Sequence, residues 1–119
     1  MTFSLTEEGN KRKLDPLVRD EIFRVGREAL ANAFDHSGGT HVSVSLHFDR
    51  REFRIVVVDD GVGISPKVIA EGRPEQWGLA GMRERARYVR GTIEIASDPQ
   101  VGTTITVRVP RKVVYPSKF

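Results

Sequence analysis

The chain has 119 residues, of which 39% are hydrophobic and 29% are charged, and its formal net charge is only +3. This length predicts a single domain, residues 1–119, with one hydrophobic core. The chain has no cysteine, which excludes disulfides and thiolate metal sites and gives no sign of secretion. No apolar run approaches the roughly 18 residues that cross a bilayer, so we expect a soluble, cytoplasmic chain.

The first third of the sequence predicts a strand followed by a long helix. A short strand is expected at residues 3–6. Asp15 followed by Pro16 is typical of a helix start, because the aspartate caps free N–H groups and proline suits the first helical position. The helix should run to about His36, ahead of two glycines. Its core-facing stripe has spacings of three and four residues: Ile22, Val25, Ala29 and Ala33.

A hairpin is expected next. Its first strand alternates apolar and polar residues, with four apolar side chains on one face: Val42, Val44, Leu46 and Phe48. The apolar run at residues 53–58 predicts a central strand, antiparallel to the first. Residues 59–81 are expected to be mainly loop, with one short helix capped by Ser65 and Pro66.

The remaining sequence predicts a second long helix and two final strands. The helix is expected at about residues 82–90, ended by Gly91, and the strands at residues 92–96 and 103–109. A sheet with one apolar face and two long helices to cover it predicts a two-layer α/β sandwich. Because neighbouring strands are joined by hairpins, the mixed sheet should be mostly antiparallel.

Three polar residues on the first helix share one stripe: Glu28, Asn32 and His36. Their spacing of four residues places them beside the apolar face, at the edge of the contact between helix and sheet. The amide oxygen of an asparagine is a hard ligand that suits Mg²⁺, and a glutamate one turn earlier could orient or deprotonate an attacking group. A solvated helix face is the competing interpretation.

A D-x-G-x-G motif, formed by Asp59, Gly61 and Gly63, directly follows the central strand. A carboxylate at that point can accept a hydrogen bond from an exocyclic amine, and the glycines allow backbone to approach a flat ring closely. By itself the motif also fits an ordinary acidic turn.

Two further segments carry glycine before a regular element. Residues 78–82 lead into the second helix, whose free N–H groups and positive dipole end suit a polyphosphate. Arg83 and Arg85 fall in the expected first turn, where cations are disfavoured unless an anion docks nearby. Gly102 and Thr103 open the last strand, where the hydroxyl could support a bound ring, although a plain hairpin turn explains the pair equally well.

Taken in this order, the motifs resemble those of the catalytic, ATP-binding domain of histidine kinases, in the GHKL superfamily with gyrase, the Hsp90 chaperones and the mismatch-repair MutL proteins. The resemblance covers residues 20–110. Its motifs match the N box and three glycine boxes of the family, in chain order: residues 28–33 with His36, residues 59–63, residues 78–82 and residues 102–103. Residues 77–86 are especially similar to sensor kinases paired with response regulators that carry a helix-turn-helix output domain.

The resemblance implies the Bergerat fold, ATP and Mg²⁺ as ligands, and transfer of the γ-phosphate to a histidine in two-component signal transduction. It implies that Glu28 is catalytic and polarises the attacking group, that Asn32 ligates the Mg²⁺ ion, and that Asp59 accepts the adenine amino group with the assistance of Thr103. The implied ATP-binding residues are Asn32, His36, Asp59, Gly61, Gly63, Gly78, Leu79, Gly81, Met82, Arg83 and Thr103.

The resemblance also implies a phosphate cradle and a lid, and it has one departure. Backbone around Gly78 and Gly81 would hold the phosphates, and residues 64–77 would form a mobile ATP lid. Asp35 stands before His36 where relatives carry lysine or arginine. A second negative charge beside the metal site should repel a triphosphate, so we expect ATP binding that is weaker or more strongly Mg²⁺-dependent than in relatives. If the residue points into solvent, the change is neutral.

None of the histidines is expected to be the phosphoacceptor, because His36 belongs to the implied ATP site and His41 and His47 lie at or on a strand. We therefore expect the chain to be a fragment of a longer, membrane-anchored sensor. The acceptor would lie on a separate helical dimerisation domain, and a response regulator would be an indirect partner. Alone, the chain is expected to be a monomer that contacts neither nucleic acid nor membrane and hydrolyses ATP slowly at most.

Three other functions are open at this point. A free-standing serine kinase of the anti-sigma-factor type shares the fold, but residues 78–85 are more typical of sensor kinases. An adaptor that keeps the fold without nucleotide is disfavoured, because Glu28, Asn32 and Asp59 occur together with the motif glycines. Nucleic-acid binding by the arginine-rich second helix ranks last, since no aromatic platform accompanies the arginines.

Overall fold

The computed structural model describes residues 2–36, 38–61, 79–98 and 102–116. Within them, the elements in chain order are β1 (Thr2–Gly9), α1 (Pro16–His36), β2 (His41–Phe48), β3 (Glu52–Asp59), α2 (Leu79–Tyr88), β4 (Thr92–Asp98), β5 (Gly102–Pro110) and α3 (Arg111–Val114). No helix of this described part is long and apolar enough to cross a membrane. The predicted short helix at Ser65 and Pro66 lies outside the described residues.

The five strands form one sheet in the order β1-β2-β3-β5-β4. β1 runs parallel to β2, while the other three pairings are antiparallel, so the predicted mostly antiparallel mixed sheet is confirmed. The parallel pair follows from its connection, because α1 crosses over between the two strands. The register keeps apolar residues on one face: Leu46 lies opposite Ile55, which lies opposite Val107.

The start of α1 is capped as its sequence predicts. The Oδ1 atom of Asp15 accepts hydrogen bonds from the N–H groups of Leu17 and Val18, at 3.0 and 3.1 Å. The backbone N–H of Asp15 donates to the carbonyl oxygen of Val114 at 2.7 Å. This bond joins the residue before α1 to the short helix α3, so these two segments lie side by side next to the sheet.

The hydrophobic core lies between one face of the sheet and the helices. The four residues predicted as the core stripe of α1 are all buried. They pack with apolar side chains of the central strands and of α2: Val42, Phe53, Ile55, Val57, Leu79, Met82, Ala86, Val89, Ile105, Val107 and Val109. The opposite sheet face carries mostly serine, threonine and charged side chains, so the two-layer sandwich is confirmed.

The structure differs from the prediction at several points. β1 continues to Gly9, because this residue still pairs with β2. α2 begins at Leu79, three residues early, since Leu79 is fully buried with the rest of the apolar face. The left-handed residue after α2 is Arg90, at φ 58°, and not Gly91. Gly91 is required for space instead, since a Cβ there would lie 2.8 Å from a carbonyl oxygen of β5. The helix α3 was not expected.

Candidate functional site

Asp59 is the last residue of β3, and its side chain follows the buried positions of that strand. Phe53, Ile55 and Val57 face the helices, and Asp59 continues this alternation with only 7% of its surface exposed. In the ladder it lies opposite Val42 of β2 on one side and Thr103 of β5 on the other. A carboxylate is therefore placed at the end of the core, between two neighbouring strands.

The hydrogen bonds of Asp59 come from backbone groups beside it. Its Oδ1 atom accepts the N–H of Gly61 at 3.0 Å, and the backbone of Thr103 donates a second bond. Burial raises the pKa of Asp59 above its ordinary value of 3.8, and the two hydrogen bonds and the nearby Asp60 charge modify that shift without reversing it. The result is a buried acceptor whose ionised form remains costly even with two backbone donors in place.

Thr103 lies directly against Asp59 and is itself 4% exposed. Its hydroxyl oxygen lies 3.3 Å from that of Ser97 on β4. Gly102 makes this close arrangement possible, because its φ is +124° and a Cβ on it would overlap the carbonyl oxygen of Asp59. The Gly-Thr pair at the start of β5 thus has a structural reason: any other residue at 102 would push the strand away from Asp59.

Asp60 has a role that sequence reasoning missed. Its carboxylate accepts hydrogen bonds from the N–H of Thr40 at 2.8 Å, the hydroxyl of Thr40 at 2.6 Å and the N–H of His41 at 2.9 Å. These bonds lower the pKa of Asp60 to about 2. They fasten the segment after β3 to the start of β2. The sequence signal that could have indicated this role is the second acid of the Asp59-Asp60 pair, because Asp60 is the first residue after β3.

The α1 stripe is only partly as predicted. Asn32 is 5% exposed, so it lies at the edge of the helix–sheet contact. Glu28 is exposed, and the expectation that it avoids open solvent is wrong. Glu28 lies one turn before Asn32, on the side of α1 next to α2. There it lines an open cleft together with arginines. His36 is the last residue of α1, and its side chain lies outside the described part of the structure.

Residues 79–82 of the second glycine segment form the first turn of α2 instead of a loop before it. Leu79 and Met82 have 0% and 1% of their surface exposed, so only their backbone could meet a ligand. Gly81 is exposed, and the N–H groups of this first turn have no acceptor within the helix. Arg83 and Arg85 lie in the second turn, which corrects the expected placement. Arg85 lies 3.7 Å from Glu21 of α1, which gives it a structural partner.

The remaining predicted residues are not placed. Gly63, Gly78 and the implied lid at residues 64–77 lie outside the described residues. Among those that are described, no group of three or more His, Cys, Asp or Glu side chains could hold a metal ion. Mg²⁺ seldom uses such a cage, because it is usually bound by one or two protein oxygens together with substrate phosphates and water.

A family model described as "Histidine kinase-, DNA gyrase B-, and HSP90-like ATPase" matches residues 18–113. The histidine-protein kinase/phosphatase DegS of Brevibacillus brevis is 32% identical over 102 residues, covering 86% of this chain and 26% of that protein. The sensor histidine kinase LiaS of Bacillus subtilis is 37% identical over 93 residues, covering 78% of this chain and 25% of that protein. The chain therefore spans about a quarter of the length of these relatives.

Solved structures give the same fold. The blue-light activated histidine kinase of Erythrobacter litoralis EL346 superimposes with a TM-score of 0.73 at 18% identity, covering 92% of this chain and 35% of that chain. The catalytic domain of histidine kinase ThkA gives a TM-score of 0.74 at 17% identity, covering 92% of this chain and 78% of that chain. At these identities the likeness is one of fold.

Proposed function

Because the chain belongs to the family of histidine kinase-, DNA gyrase B- and HSP90-like ATPases, we propose that it binds ATP with Mg²⁺ and supplies the γ-phosphate to a histidine on a separate dimerisation domain. It is the nucleotide-binding part of a two-component sensor kinase in this proposal. Without the acceptor domain it binds nucleotide but is inactive as a kinase, because phosphoryl transfer depends on positioning the acceptor in line with the phosphate.

The observation that carries the proposal is the buried carboxylate of Asp59 beside Thr103. The Asp59 carboxylate is only 7% exposed and already accepts two backbone hydrogen bonds, yet its remaining lone pairs can accept a donor that arrives from outside the chain. The exocyclic amine of adenine is such a donor, and Gly61, which carries no side chain, allows a planar ring to approach the end of β3 closely. Asp59 accepts the amino group, and Thr103 supports it from the neighbouring strand.

The phosphate end of the nucleotide lies toward α1 and the start of α2 in this proposal. Asn32 fits Mg²⁺ because a side-chain amide oxygen is a hard donor, and the bound ion would offset negative charge on the phosphates. Glu28 orients the attacking group. The backbone N–H groups around Gly81 face the phosphates, with the Arg83 side chain nearby, and Gly78, Gly63 and His36 complete the proposed set.

The acceptor histidine is supplied from outside this chain. His41 and His47 lie on the sheet face opposite the helices, because the alternate residue Val42 is buried under them. His41 contacts the hydroxyls of Thr2 and Ser4, and the Nδ1 atom of His47 lies 3.0 Å from a carboxylate oxygen of Glu8. Neither histidine is on the side of Asp59, so neither is the acceptor.

The test is a calorimetric titration of the chain with a non-hydrolysable ATP analogue, with and without Mg²⁺, alongside Asp59→Asn. We expect saturable binding that is stronger with Mg²⁺ and that is lost in the variant. A folded wild-type chain that binds no analogue would reject the proposal and favour an adaptor that has kept the fold without nucleotide.

The charge of Asp35 modulates this binding in the same proposal. Asp35 is exposed near the end of α1. Replacing it with arginine removes a negative charge from the neighbourhood of the proposed Mg²⁺ site, so Asp35→Arg should bind the analogue more tightly and depend less on Mg²⁺. An unchanged affinity at low ionic strength would mean that solvent screens the residue.

A further inference from the structure

An open cleft of about 390 Å³ lies between α1 and α2, lined by Arg24, Arg27, Glu28, Ala31 and Arg85. We call it the basic cleft. Three guanidinium groups share it with one carboxylate, that of Glu28. The arginines come from two different helices, so the packing of α1 against α2 brings them together, and no sequence segment shows the cluster by itself.

The positive charge of the basic cleft is poorly neutralised. Within the described part of the chain, Arg24 and Arg27 have no hydrogen bond or ion pair, and both are exposed. Arg85 has one long contact, 3.7 Å from Glu21. By contrast, Arg108 on the open sheet face has Glu52 at 2.7 Å and Glu94 at 3.1 Å. Three arginines with only Glu28 in the cleft and Glu21 at a long distance leave an excess of positive charge, so the cleft is complementary to an acidic partner.

The position of the basic cleft separates it from the proposed nucleotide contacts. Arg24 lies two helical turns before Asn32, which is about 12 Å along the axis of α1. The adenine end, at Asp59, lies beyond Asn32 at the other end of the site. Glu28 stands between the two regions, at the edge of the cleft. Whatever surface presents the acceptor histidine must reach Glu28, since a general base acts only within hydrogen-bond distance, and that surface then covers the cleft.

We propose that the basic cleft docks an acidic helical segment of the phosphoacceptor domain, with carboxylates one turn from the acceptor histidine. The inference rests on the proposed kinase function and identifies what recognises the partner. Arg24 and Arg27 are three residues apart and lie on neighbouring positions of one helix face, so two carboxylates at a spacing of one turn can pair with both. The contact orients the acceptor toward Glu28 without touching the nucleotide.

The test uses two alanine-rich helical peptides of about 20 residues, long enough to be helical in water. Both carry a central histidine; one has two glutamates spaced one turn apart, the nearer one turn from the histidine, and the other has glutamines at the same two positions. Binding to the ¹⁵N-labelled chain is followed by NMR titration. We expect the glutamate peptide to bind saturably and to shift the amide signals around Arg24, Arg27 and Arg85. The glutamine peptide should bind at least about tenfold more weakly, and added salt should weaken binding of the glutamate peptide.

Charge variants locate the binding surface. Arg24→Glu combined with Arg27→Glu should weaken the acidic peptide by about tenfold or more, while Arg24→Lys with Arg27→Lys should stay within about threefold of the wild type. The matched control is Arg111→Glu with Lys112→Glu, which makes the same change of charge on exposed residues of α3. Equal weakening by the control, or equal affinity for both peptides, would overturn the proposal. Thermal unfolding verifies that each variant is folded.

Nucleotide titration of the same variants separates this proposal from the proposed function. The Arg24 and Arg27 charge reversals should leave the affinity for an ATP analogue within about twofold. If the charge reversals weaken binding of the analogue as much as binding of the peptide, the arginines belong to the phosphate site. The docking proposal then fails, while the proposed kinase function stands. If the wild-type chain binds the peptide but no analogue, the kinase function fails, and with it the phosphoacceptor domain as the occupant of the cleft.

Discussion

Asp59 and Asp60 are neighbours in the chain, yet the fold gives them opposite surroundings. Asp59 ends β3 on the helix-covered face, where burial raises its pKa. Asp60 has left the strand, is exposed, and accepts three hydrogen bonds from Thr40 and His41 that lower its pKa to about 2. One carboxylate is costly to ionise in the folded chain, and the other is stabilised in its ionised form.

The difference shows how a proposed binding residue and its support can be divided between adjacent positions. A carboxylate whose own hydrogen bonds were complete would have little to offer a ligand, whereas an acceptor left under-satisfied in the core gains most when a donor arrives. Asp59 lies between these cases, because it accepts two backbone hydrogen bonds and a carboxylate has lone pairs for a further donor. Asp60 fixes the segment that follows, so that Gly61 stays in place to donate to Asp59 at 3.0 Å. Site and support are therefore separable by mutation.

The largest effect is expected for Asp59→Asn. The amide cannot offer the same charged acceptor to an adenine amine, so the affinity for an ATP analogue should fall by about 10- to 100-fold. The midpoint of thermal unfolding should stay the same or rise, because the variant no longer buries an ionised carboxylate. Calorimetric titration measures the affinity and a thermal melt measures the midpoint. A lower midpoint with unchanged affinity would mean that Asp59 supports the fold and does not bind the ligand.

Gly102→Ala tests the contact between β5 and Asp59. A Cβ at residue 102 would overlap the carbonyl oxygen of Asp59, at a φ of +124° that alanine rarely adopts. We expect a loss of about 1 to 3 kcal/mol in the free energy of unfolding, and weaker nucleotide binding, measured by urea titration and calorimetry.

Gly81→Ala is the matched control for that change. A Cβ at Gly81 meets no atom within 4 Å, and alanine is the better helix former by up to about 1 kcal/mol. The variant should therefore be at least as stable as the wild type. A fall in nucleotide affinity without a fall in stability would indicate that the ligand itself approaches Gly81.

Asp60→Ala should act on stability before it acts on binding. The variant leaves the N–H groups of Thr40 and His41 without their acceptor, so the thermal midpoint should fall by the order of a few degrees. Asp60→Asn keeps one oxygen acceptor, so its thermal midpoint should fall less. Either variant could instead lose nucleotide binding as completely as Asp59→Asn while keeping the thermal midpoint of the wild type. Asp60 would then be a ligand-binding residue, and the division between site and support would be wrong.

The smallest effect is an opposite pH dependence of the two positions. The folded-state pKa of Asp60 is depressed, so its contribution to stability is present above pH 3.8 and is lost as the pH falls toward about 2. The folded-state pKa of Asp59 is raised, so its ionisation destabilises the fold above that raised pKa, and this destabilisation disappears as the pH falls to 3.8.

Unfolding free energies of the wild type and the two asparagine variants, measured between pH 7 and pH 2, check this prediction. The advantage of Asp59→Asn over the wild type should shrink on acidification through the raised pKa. The disadvantage of Asp60→Asn should persist to about pH 4 and vanish only below it. Parallel curves for both variants would mean that neither carboxylate titrates as its surroundings require.

Much of this protein follows from local patterns in its sequence. The cap at Asp15, the core stripe of α1 and the alternation along β2 depend on neighbours within a turn or a strand, and all three are confirmed. The order of the N box and glycine boxes identified the family, because those short motifs keep their residues in local sequence. The start of α2 and the length of β1 were less well predicted, since burial and strand pairing decided them.

What only the tertiary structure decided are the contacts between distant segments. Asp59 meets Thr103 because β3 pairs with β5 in one register, and Asp60 reaches Thr40 because β2 starts beside the end of β3. Arg24 and Arg85 share a cleft because α1 packs against α2. Sequence periodicity fixes which face a residue takes within its own element. The residue across from it depends on register and helix packing, which arise from the burial of the whole core.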